Sequence, residues 1–288
     1  CIFFFIQISV NSSLNAKGNT KSYRNVLIFS FFLNIFLNPI FIFGYGIIPA
    51  MGIKGIAFAT ITAQFIGMSY IIYKAYLTDL KKYLYLESFL PKLDLIKDLL
   101  IQGIPASLGM MMISVGVYII QNFISIFGDL AFAGYGTAAR FEQIFILPIL
   151  GLSTAVLSIA GQNFGANNYK RVEEVYDKAI KYGCTIMLFA GIIIYFSAEA
   201  VLNFFTNNED VIKYGTAYLQ ITALIEPVYP IFFISNALMQ ALKKPIYVMF
   251  LSMFRMVILP TITLWFLILY LESNFEFVFW GLLIINWI

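Results

Sequence analysis

Glu226 is the residue in this chain whose type and setting most clearly invite chemistry. It stands in the apolar run ALIEPVYPIFF, with Pro227 and Pro230 close behind it. Those prolines lack N–H groups, free the carbonyls upstream and can kink a helix. A carboxylate at such a break can bind Na+ or take up a proton. It can equally be a structural acid near the outer third of a span, reached by water or paired with a cation. Glu142, in AARFEQIFILP, is a second acid in apolar company and can reach into an interior cavity. Arg140 lies two residues earlier, so it faces elsewhere on a helix and can snorkel outward. Arg255, in SMFRMVILP, needs a counter-charge, for which Glu226 and Glu142 are the candidates. Both arginines read as structural, in ion pairs, rather than as substrate ligands. Asn34 and Asn38 are four apart and share a helix face. With Thr60 they form a neutral polar group, suited to coordination or to interhelical hydrogen bonds.

Other chemistry is excluded by composition. There are 0 His, and the 2 Cys, Cys1 and Cys184, make neither a disulfide framework nor a metal site. No nucleophile has a plausible base, so the chain does not read as an enzyme. Met110, Met111 and Met112 read as helix packing, or as an adaptable apolar surface.

The elements that must position these residues are membrane helices. Hydrophobic residues make up 61% of the chain and charged residues 11%, against about 25% charged in a soluble domain. Runs long enough to cross about 30 Å of hydrocarbon fall at 25–44, 52–77, 98–127, 131–160, 178–198, 211–240 and 245–271. Partial runs lie at 1–13 and 275–288. Short alternating segments of a barrel are absent, so the spans are helical. The chain starts at Cys1 within an apolar run and ends within another, and is expected to be a fragment of a longer protein.

Alternate connections, at 14–24, 78–97, 161–177 and 241–244, collect the basic residues. Of the 18 Lys and Arg, only Lys54 and Lys213 fall on the opposite set, beside Asp129, Glu199, Glu209, Asp210, Glu272 and Glu276. The positive-inside rule places the basic set in the cytoplasm. Topology therefore accounts for the basic loops, and no nucleic-acid partner is implied; the partner they imply is the lipid bilayer. AGQNFGANNYKRVEE, residues 160–174, is then a cytoplasmic helix hairpin, its glycines turning the chain and its amides closing open helix ends.

Residues 14–40 echo 238–261. Each passes from a basic turn into an apolar helix with a polar residue mid-span, Asn34 or Arg255, and a proline five later, Pro39 or Pro260. Two such copies in one orientation suggest repeats related by an axis along the membrane normal. The charged segment 78–97 is amphipathic and expected to lie on the cytoplasmic surface. The expected division is a first lobe at 1–80, a linker at 81–97 and a second lobe at 98–288.

The run AARFEQIFILPILGLSTAVLSIAGQNFGANNYKR resembles the multidrug and toxic compound extrusion (MATE) antiporters, as do LNAKGNTKS, LNIFLNPIFIFG, MGIKGIAFAT and SMFRMVILP. The resemblance implies an all-α polytopic membrane protein of two pseudo-symmetric six-helix bundles around a central cavity, the N-terminal one incomplete. On this reading helices one to three and the end of helix twelve are missing. It implies secondary active export of small organic cations or amphipathic drugs, coupled to Na+ or H+ and using no other cofactor, in the cell membrane. No oligomer is implied. A lipid-linked oligosaccharide or lipid flippase of related architecture is the alternative, against which the few intramembrane cations argue. By resemblance, Glu226 lies near an acid of the cation site on the tenth helix, and Asn34 and Thr60 match residues of another branch's site. Asn38 stands where that branch has Asp. In GIPASLGMMMISVGVYII, Met and Ile113 stand where some relatives carry Glu. Neither acidic site of the family is intact.

Overall fold

The computed structural model describes residues 2–46, 48–83 and 92–287. Cys1, Ile288 and residues 84–91 of the expected linker lie outside the described residues. The described chain is helical almost throughout, with one isolated bridge, Tyr45 to Ile48. It divides into two compact units, Cys1–Lys92 and Leu93–Ile288.

The first unit holds α1 (Ile2–Ala16), α2 (Lys21–Phe43) and α3 (Ile53–Tyr76), then a 3-10 turn at Asp79–Tyr83. On α3 every fourth residue is buried: Gly55, Ala59, Ala63, Gly67, Ile71 and Ala75. Small residues at that spacing let helices pack closely where apolar burial from water gives no drive. A Cβ on Gly55 would sit 2.5 Å from the backbone of Phe41. The large side chains turn the other way: Phe29, Phe31 and Phe36 are exposed, as suits helices whose solvent is lipid.

The second unit comprises α4 (Leu93–Ile124), α5 (Asp129–Gly165), α6 (Tyr169–Phe205), α7 (Glu209–Thr222), α8 (Val228–Ala241), α9 (Pro245–Ser252), α10 (Leu259–Leu264) and α11 (Phe275–Trp287). Helix α5 is central and packs on α6, α7 and α8, while α4 packs on α9. One core cluster joins Tyr135, Tyr218, Leu264, Phe275 and Phe279. Another joins Val156, Val172, Ile234 and Ala241 near the basic turns. Among the described residues six helical stretches are long and apolar enough to cross a membrane, which with the shorter apolar helices makes this a multi-pass membrane protein.

Most expected spans coincide with these helices, with four informative differences. The run 211–240 is two helices, α7 and α8, separated by a turn at 223–227. Pro227 cannot donate to the carbonyl of Ala223, and its ring crowds that turn. The run 245–271 contains two π-helical turns, Met253–Ile258 and Trp265–Tyr270, on either side of α10. Residues 93–97 begin α4 rather than belonging to a surface linker. In the 160–174 hairpin, Gly161 and Gly165 remain helical, and the left-handed residue is Asn167 at φ 58. Asn tolerates that conformation. Asn168 then caps α6, its side chain accepting from Arg171 N at 3.3 Å.

Candidate functional site

The site is built on α5 and on the break between α7 and α8. Glu142 lies on α5 and is 4% exposed. Both of its carboxylate oxygens are engaged. Tyr218 of α7 donates its hydroxyl to Oε2, and Tyr229 of α8 donates to Oε1 at 3.0 Å. Tyr135, one face-repeat earlier on α5, packs edge-on against Tyr218 at 4.9 Å, and Phe279 of α11 packs on both rings. This apolar wall keeps water from the tyrosine–carboxylate bonds, which strengthens them.

Glu226 is placed by the break itself and is 0% exposed. Unlike Glu142, it has no hydrogen-bond partner at either oxygen among the described residues. It lies within electrostatic reach of Glu142, and Tyr229 stands in the field of both. Two buried carboxylates within each other's field demand a proton or a cation, because like charges out of water are mutually costly.

The break satisfies its own backbone in pieces. Ile225 N bonds Thr222 O at 2.7 Å and Val228 N bonds Ile225 O at 2.8 Å, replacing the α-helical pattern. The Pro227 carbonyl accepts from Cys184 Sγ at 3.5 Å, and the Leu224 carbonyl from Trp287 Nε1 at 3.1 Å. Gly191 of α6 admits the break: a Cβ there would lie 2.4 Å from Ala223 O. A carboxylate with carbonyls freed around a helix break is an oxygen donor set suited to a hard cation. Among the described residues no group of three or more His, Cys, Asp or Glu is positioned to hold a metal ion.

The arginines correct the expectation of ion pairs. Arg255 donates to the backbone oxygen of Asn286 at 3.0 Å and to its Oδ1 at 3.3 Å, and lies over the Phe232 ring at 4.9 Å. A planar guanidinium can replace a carboxylate by stacking and neutral acceptors. Arg140 is exposed on α5, away from Glu142. Among the described residues neither arginine forms a salt bridge; those present are Lys82–Asp79, Arg171–Glu174 and Lys178–Glu174.

In the first unit the neutral group is not assembled. Asn34 bonds back to Ser30 O at 2.9 Å and Thr60 to Ile56 O at 2.9 Å, each within its own helix. Asn38 Oδ1 is buried and without a partner among the described residues. No hydrogen bond joins the three among the described residues. Met110 and Met111 are exposed rather than packed inside.

Where the C-terminal end of α6 meets the N-terminal ends of α7 and α11, a pocket of about 570 Å³ is lined by Glu199, Glu209, Lys213 and Glu276, with Asn203 and Gln220. Sequence reasoning marked these charges as non-cytoplasmic but had no means of gathering them. It also missed Tyr218 and Tyr229. Spacing in the sequence pairs Glu142 only with Tyr135, seven residues earlier on the same helix face, and carries no signal for Tyr218 or Tyr229, 76 and 87 residues away.

Comparison with known proteins gives a consistent picture. The chain is 29% identical over 252 residues to the probable multidrug resistance protein YpnP of Bacillus subtilis, covering 88% of this chain and 55% of that protein. It is 22% identical over 253 residues to a FAD transporter of Shewanella oneidensis, covering 86% and 55%. It thus spans about half the length of the curated relatives it matches. Its fold superposes on a MATE crystal structure in complex with MaL6 with TM-score 0.87 at 24% identity, covering 99% of this chain and 63% of that one. It also superposes on the MATE transporter ClbM in complex with Rb+ with TM-score 0.83 at 26% identity, covering 95% and 59%. The MatE family model matches residues 105–265, more than half of the chain, from within α4 through the break to α10, and the chain belongs to the MatE family.

Proposed function

We propose that this chain belongs to a secondary active transporter of the cell membrane that exports small organic cations or amphipathic compounds in exchange for Na+ or H+. Alternating access delivers the exchange. The observation that carries this reading is the buried Glu226 carboxylate at a broken membrane helix, in the field of Glu142 and with no hydrogen-bond partner among the described residues. In this reading Glu226 takes the coupling ion and Glu142, fixed by Tyr218 and Tyr229, sets the negative field. A cationic substrate and the coupling ion then compete for the same charge, which is what makes exchange obligatory. Asn34, Asn38 and Thr60 are assigned a secondary, packing role. The relative that binds Rb+ supports a monovalent cation in a fold of this kind.

The relative named as a FAD transporter favours a second reading, in which the cargo is an anionic nucleotide cofactor. One assay separates the two. Ethidium efflux from vesicles holding the full-length protein is measured under imposed Na+ or proton gradients. The first reading predicts gradient-driven efflux that Glu226→Gln abolishes. Uptake or efflux of FAD without ethidium transport would establish the second.

A further inference from the structure

A further set of contacts in the second unit encircles the break that carries Glu226. In a continuous helix the Leu224 carbonyl would accept from Val228 N, but that N–H bonds Ile225 O at 2.8 Å. The freed Leu224 carbonyl instead accepts from Trp287 Nε1 at 3.1 Å, across 63 residues of chain. The neighbour of Trp287, Asn286, holds Arg255 through its backbone oxygen at 3.0 Å and its Oδ1 at 3.3 Å. Arg255 lies over Phe232 of α8 at 4.9 Å. The ring therefore closes from one side of the break, through α11 and the π-helical turn at Met253–Ile258, to the other side. Gly116 of α4 packs against that turn so closely that a Cβ would lie 2.3 Å from Met256 O. π-helical turns are rare and frequent at functional sites.

We infer that Trp287 and Asn286, at the end of α11, are positioning residues that hold the α7–α8 break and thereby set Glu226 for the coupling ion. The inference rests on the cation-site reading of Glu226. Inside a bilayer no water replaces a lost donor, so the Leu224 carbonyl would seek a new partner and the break would re-form around it. Trp287 is 56% exposed, so replacing its indole by a phenyl ring removes the donor without emptying a core.

The test uses the full-length protein in vesicles, with ethidium as substrate and Na+ or protons as the varied ion. Trp287→Phe is expected to raise the ion concentration at half-maximal efflux about three- to tenfold, the loss of one intramembrane hydrogen bond. The ethidium concentration at half-maximal efflux stays at the parent value. Trp280→Phe, also on α11 and 45% exposed, is expected to match the parent in both. Should Trp287→Phe fail to accumulate, Asn286→Leu removes the Oδ1 acceptor of Arg255 and is read the same way. A parental ion dependence in these variants, with coupling lost in Glu226→Gln, would overturn the positioning role and leave the cation site standing. An equal shift for ion and ethidium would also overturn it, marking general loosening of the fold. Retained ion dependence in Glu226→Gln would remove the cation site, and the positioning role with it.

Discussion

Glu142 and Glu226 differ in what surrounds their oxygens, and that difference divides their roles. Tyr218 and Tyr229 each donate to one oxygen of Glu142, while Glu226 has no donor among the described residues. Removing one donor from a buried carboxylate leaves a costly unsatisfied group. Tyr218→Phe is therefore expected to lower stability by about 1–3 kcal/mol, read as a reduced midpoint of thermal unfolding in detergent. An unchanged midpoint would mean that the hydroxyl bond is not formed. The two acids were legible as isolated charges in apolar runs, because a charge in lipid always demands a reason. Their tyrosine partners were not, since Tyr218 and Tyr229 lie 76 and 87 residues from Glu142. Nor was the fate of Arg255, because stacking on Phe232 and bonding to Asn286 leave no charge pattern to read.

At the scale of elements, the break between α7 and α8 is the feature that turns an acid into a site. Pro227 causes it and Gly191 makes room for it. Pro227→Ala restores an N–H and lets the helix continue, which is expected to keep the fold but weaken ion dependence of efflux. Parental ion dependence in that variant would show that the break is dispensable. Gly191→Ala drives a methyl group into Ala223 O and is expected to cost about 1–3 kcal/mol as overpacking. Gly151→Ala, where nothing lies within 4 Å of the added carbon, should be neutral or slightly stabilising. Equal midpoints for the two variants would contradict the close approach of α6. Most helix positions were legible, because length and apolarity determine spans directly. The break was visible only as two prolines. The proline bonds that are missing follow from sequence, but the carbonyl partners Cys184 and Trp287 come from other helices.

At the scale of the molecule, the charge distribution predicts an orientation in which the pocket of Glu199, Glu209 and Glu276 faces away from the cytoplasm. Helices α5 and α6, 37 residues each, run about 55 Å and so carry Arg171, Glu174 and Lys178 beyond the hydrocarbon. In a background lacking Cys1 and Cys184, a membrane-impermeant maleimide is expected to label Lys213→Cys on intact cells, and Lys243→Cys only after permeabilisation. The reverse pattern would invert the topology. The central claim is that Glu226 binds the ion that the substrate displaces. It is tested most directly by adding ethidium to the solubilised full-length protein and measuring the Na+ and protons released, for the parent and for Glu226→Gln. The account predicts stoichiometric release from the parent and none from the variant. Equal release from both would contradict it.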